Sequence, residues 1–148
     1  MDINKAGQNM RILVIHHVEP QWEEWFNKKE LLKALRRHIR KNKYDQVIQS
    51  VWDDQNMYDE LESYTTTWVN WDYGWDMEDI EEYGMDRNDF IEVSSHHEYT
   101  YLYPWIKDLA GHEVNICGGH RDACLRDLEE SLEYLRIEYT TIESLVYG

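Results

Sequence analysis

Four consecutive aliphatic side chains, Ile12 to Ile15, run into His16, His17 and then Pro20, and they narrow the possible folds more than anything else in the chain. A strand with one wet face alternates apolar and polar residues. An unbroken apolar run that ends at a turn signal reads instead as a strand covered on both faces, the habit of parallel sheets. The segments that follow agree. "WEEWFNKKELLKALRRHIRKN" places Trp22, Trp25, Phe26, Leu32, Leu35 and Ile39 at three- and four-residue spacing, which predicts a helix. Strands are expected at 45–54, 89–97 and 113–119, a short helix at 100–111, a strong helix at 122–135, and a last strand in "RIEYTTIESLVYG".

Strands alternating with helices predict a single α/β domain over residues 1–148. The expected form is a three-layer sandwich around a mostly parallel sheet of five or six strands. Residues 55–88 stand apart as an acidic, Trp-rich insertion, read as turns and loop. The formal charge of −15 argues against direct nucleic-acid or membrane binding by the surface as a whole. That charge is unevenly spread: residues 28–43 hold eight of the fifteen Lys and Arg, while residues 53–89 hold thirteen acids and one base. Only Cys117 and Cys124 carry thiols, and no apolar leader or span is evident. Both features suit a reduced, cytoplasmic protein.

In open parallel sheets, ligands bind outside the carboxyl ends of the strands. Five of the seven histidines fall at such predicted ends: His16 and His17, His96 and His97, and His120. With Asp53 or Asp54 they form one expected cluster. His17, His97 and Asp53 are the candidate ligands for a divalent metal, since imidazole and carboxylate suit such ions. The other reading needs no cofactor. Histidine titrates near neutral pH, so His16 or His96 serves as general base toward Cys124. Trp71 and Trp75, with Trp68, are candidate walls for a planar substrate; alternatively they anchor the insertion to the core.

The corner "CGGHRDACL" resembles the signature of the isochorismatase-like cysteine hydrolases, the family that includes nicotinamidases. The match lies at Cys117, Gly118, Asp122, Cys124 and Leu125. The flanks "RILVIHH" and "IEVSSHHEYTYLY" resemble the family's first strand and its aromatic-rich turn. This resemblance implies the family fold, a Rossmann-like sheet, and Cys124 as nucleophile at a helix N-terminus. Gly119, His120 and Ala123 would then line the substrate site, with backbone amides holding the oxyanion. The family's catalytic Asp and Lys positions are His16 and, by register, Ser95 or His96 in this chain. The implied activity is hydrolysis of an amide or related carbonyl of a small molecule, with Cys124, His16 and His96 as the catalytic set. Two alternatives stand beside it: a metal-dependent hydrolase, and a catalytically silent protein that presents the acidic segment to a protein partner, as a mimic of DNA. The basic helix 28–43 reads as a helix with a cationic solvent face, or as a partner for the acidic segment, within the chain or across a homodimer.

Overall fold

A computed structural model describes residues 9–52, 57–70, 91–92, 101–102 and 104–148. The main sheet has five strands: β1 (Arg11–His16), β2 (Gln46–Val51), β3 (Thr67–Asn70), β6 (Glu113–Gly118) and β7 (Thr140–Val146). Their spatial order is β3-β2-β1-β6-β7, and every pairing is parallel. β4 (Ile91–Glu92) and β5 (Tyr101–Leu102) form a separate antiparallel pair.

The aliphatic run of β1 sits at the centre of the sheet, and its residues divide between two cores. Ile12 and Val14 pack with Ile48, Val114, Ile116, Ile106 and Leu109 and with Leu125, Leu128 and Leu132 of α2 (Cys124–Tyr134). Leu13 and Ile15 face the other way, onto Leu61 and onto Leu32 and Leu35 of α1 (Lys28–Asn42). Alternate side chains of a strand point to opposite faces, so a run without polar breaks fills both layers. The α/β class and the parallel sheet therefore agree with the sequence reading. No described helix is long and apolar enough to cross a membrane.

Four segments differ from the sequence reading. The expected helix from Trp22 is interrupted: Pro20–Trp25 is a 3-10 turn, and α1 begins only after Asn27, whose side chain accepts the Glu30 N–H at 3.0 Å. An Asn at an N-cap satisfies a free amide of the first turn, so the helix restarts there. The third strand of the sheet is Thr67–Asn70, inside the segment read as turns and loop. Its Thr-Thr-Thr-Trp-Val run has strong β propensity, masked in the sequence by acidic neighbours. The expected strand at 89–97 contributes Ile91–Glu92 to the small antiparallel pair, not to the main sheet. Where a short helix was expected from residue 100, Tyr101–Leu102 is a strand and Pro104–Leu109 a 3-10 turn. Proline at the first turn position supplies a fixed φ that suits such a start.

On α1, Lys29, Lys33, Arg37 and Lys41 follow one another at four-residue steps, all exposed. Like charges at that spacing face each other along a helix and repel. Lys33→Glu replaces two such repulsions with two attractions, so it is expected to raise stability by about 1 kcal/mol in urea unfolding.

Candidate active site at the β1–β6 crevice

The chain leaves β1 toward α1 on one face of the sheet and leaves β6 toward α2 on the other. β1 and β6 are neighbours, so the two connections part and a crevice opens between them. This is the topological switch point at which open α/β sheets bind ligands. A cavity of about 300 Å³ lies here, lined by His17, Trp22, Trp25, His120, Ala123, Cys124 and Tyr147.

Each wall has a local cause. His17 takes a left-handed backbone conformation (φ +54°), and its N–H donates to the Ser50 carbonyl at 2.9 Å. That turn carries the chain out of the strand. Two residues on, the buried Glu19 carboxylate accepts the Trp52 backbone N–H, at 3.0 and 2.9 Å to its two oxygens, and the Gln21 side-chain amide at 2.9 Å. The connection after β1 is thereby tied to the end of β2. The 3-10 turn that follows lifts Trp22 and Trp25 over the crevice. The Trp22 ring lies 6.5 Å from His17, nearly parallel, and Trp25 meets His120 edge-on at 4.8 Å. The opposite wall comes from the other end of the chain. Tyr147 donates its hydroxyl to the His17 carbonyl at 2.5 Å, and its N–H to the Gly118 carbonyl at 2.9 Å.

The glycine corner is shaped by close backbone approach. Gly118 has φ +101°, and a Cβ there would stand 2.0 Å from the His16 carbonyl oxygen. The Gly119 N–H donates to that same oxygen at 2.9 Å, and its α-carbon faces the Tyr147 ring. The peptide between Gly119 and His120 is cis. The chain then turns, with the His120 carbonyl accepting from Ala123 and Leu125, both at 3.0 Å, and α2 begins at Cys124.

His16 lies behind the pocket wall. It is fully buried, its Nδ1 lies 3.0 Å from the Ser50 hydroxyl, and its ring stacks on His17 with centroids 4.1 Å apart. Burial and then the neighbouring His17 drive its pKa well below the ordinary histidine value, while a hydrogen bond to the Cys124 backbone acts in the other direction. His16 is therefore neutral at physiological pH. It links the end of β1 to the start of α2.

Of the residues singled out in the sequence, Cys124, His120 and Ala123 are brought together, with His17 in the same cavity. His16 is held against the Cys124 backbone, and Gly119 against Tyr147. His96, His97, Asp53, Asp54, Ser95, Trp71 and Trp75 lie outside the described residues, as does most of the acidic insertion. Trp68 is described; it lies on β3, 41% exposed, at the rim of a different hollow with Tyr58 and Thr65. Among the described residues, no three or more His, Cys, Asp or Glu side chains group as metal ligands. His17 is the one proposed ligand whose position is described.

Trp22, Trp25, Tyr147, Ser50 and Glu19 were missed in the sequence. Their signal was position: each follows or ends a strand at the carboxyl edge, but the tryptophans were absorbed into a helix stripe. A larger hollow of about 900 Å³ lies by the start of β6 and β7, and is lined by His112 and Arg136 but by no thiol. Both cysteines are free. Cys117 lies in the sheet core, where burial pushes its thiol pKa strongly up. No family model, curated protein or solved structure matches the chain.

Proposed function

We propose that the chain is a cysteine-dependent hydrolase of the isochorismatase-like kind, acting on an amide or related carbonyl of a small, uncharged molecule. The observation that carries this reading is that Cys124 opens α2 in the same cavity that His17 and His120 line. A helix N-terminus favours the thiolate, and an imidazole nearby can take its proton. The described lining holds no carboxylate, lysine or arginine, and three of its seven residues are Trp or Tyr, so a neutral, flat ligand suits it.

In this mechanism the Cys124 thiol gives its proton to a pocket imidazole, His17 or His120, and the sulfur attacks the carbonyl carbon. The tetrahedral intermediate collapses to a thioester as the imidazolium returns the proton to the departing amine. Water, deprotonated by the same imidazole, then cleaves the thioester and restores the thiol. His16 acts as a positioning residue, with its low pKa and its ring held on Ser50 and on the Cys124 backbone. The two free thiols suit a reducing, cytoplasmic setting.

Alkylation of the native protein with iodoacetamide, mapped by mass spectrometry, tests the reading. Cys124 is expected to label at a rate well above that of a free thiol at pH 7, and Cys117 only after denaturation. Labelling of both thiols only in denaturant would sink the hydrolase assignment.

A further inference from the structure

Among the described residues, one face of α1 carries a row of bases that the fold does not engage. Leu32 and Leu35 are buried beneath it, while Lys29, Lys33, Arg37 and Lys41 form a row on its outer side, with Arg36 and Lys43 alongside. Lys28 pairs with Glu60 at 3.2 Å, and Arg40 donates to the Tyr64 hydroxyl at 3.0 Å. None of the other six bases has an ion-pair partner among the described residues. The helix dipole accounts for cations in the last turn, where Arg40 and Lys41 lie. It does not account for Lys29 and Lys33 near the positive end, nor for a row whose members repel one another. Among the described residues no ion pair offsets the repulsion within that row.

We infer that this face is a docking surface for a short acidic segment of a partner protein. Charge complementarity selects an anionic partner, and the edges of the surface limit its length. The helix spans about 22 Å. Glu60 lies at its start, and Asp45 and Glu113 meet Arg11 at its far end. Outside residues 28–43 the chain is strongly acidic, with 29 Asp and Glu against 7 Lys and Arg. A nucleic-acid duplex carries a charge every ~1.7 Å along its axis and continues past both ends of the helix. Past either end of the helix it would run beside a surface whose net charge is negative, which repels it. An anionic membrane extends further still. An extended peptide of roughly seven residues covers the cationic row and stops short of the acids. The inference is independent of the chemistry assigned to Cys124.

Fluorescence anisotropy with a labelled octaglutamate peptide, at physiological ionic strength, tests it. The whole chain is expected to bind saturably, with affinity that falls as salt rises. Lys33→Glu combined with Arg37→Glu is expected to lose at least about tenfold in affinity. The neutral pair, Lys33→Gln with Arg37→Gln, should fall between, with a thermal melt no lower than that of the wild type. Absence of saturable peptide binding would overturn the inference, as would equal binding by the charge-reversed protein. So would tighter binding to a duplex of about 20 base pairs or to phosphatidylserine vesicles. A concentration-dependent dimer abolished by the same substitutions would assign the face to a second copy instead.

Discussion

Gly118→Ala is expected to destabilise the chain by at least about 4 kcal/mol in urea unfolding, a large part of the 5–15 kcal/mol typical of a domain. Two costs combine. The backbone at Gly118 has φ +101°, where an L side chain is strained, and the added Cβ would fall 2.0 Å from the His16 carbonyl oxygen. That oxygen belongs to the adjacent central strand and accepts the Gly119 N–H, so it cannot retreat without opening the β1–β6 seam. Gly111→Ala separates the two costs. Its φ is +82°, but nothing lies within 4 Å of the added carbon. It is expected to lose only about 1 kcal/mol, the conformational part alone. Equal losses at the two positions would show that the backbone contact at Gly118 is not what the corner requires.

The second large effect is a loss of stability in mild acid, traced to His16. Its pKa in the folded chain is depressed, chiefly by burial and then by His17. The unfolded chain binds a proton below pH ~6.5 that the folded chain refuses, so stability is present above that pH and falls as pH drops through it. The slope approaches about 1.4 kcal/mol per pH unit. In the window from pH ~6.5 to ~5.5 most carboxylates stay ionised, while His38, whose pKa is also lowered by burial and then by Arg11 and Lys41, adds a slope of the same sign. An opposing trend comes from the net charge of −15, whose self-repulsion eases toward the isoelectric point of about 4.7. The quantity to measure is therefore the difference between the wild type and His16→Asn, which keeps a polar group toward Ser50 and removes the titration. A parallel pH dependence in both proteins would remove His16 as the cause.

The sequence signalled the central strand plainly, because a run of four aliphatics has no other comfortable home than the middle of a covered sheet. It signalled Cys124 and His120 through the glycine corner, where only glycine tolerates the approach of the His16 carbonyl. It did not signal β3, since Thr65 to Val69 lie among acids that suggested loop. It did not signal the tryptophan wall either. Trp22 and Trp25 are spaced as a helix stripe would be, and only the Pro20 turn and the Asn27 cap show that the helix starts later. Tyr147 was beyond any local reading, because its role depends on a contact with His17, 130 residues away in the chain. Periodicity reports what a segment does with its own neighbours. It is silent about which distant segment arrives to complete a wall.

The position of β1 also sets a timetable. Its partner on one side, β2, follows within a few dozen residues, but its partner on the other, β6, pairs Ile12 with Val114. At 5–20 residues per second, a ribosome needs roughly 5–20 s to make the intervening hundred residues. During that interval the most apolar strand of the molecule has one hydrogen-bonding edge unclaimed, the kind of edge that recruits other chains. The most exacting moment for this protein comes before it is finished, while its first strand waits for its sixth.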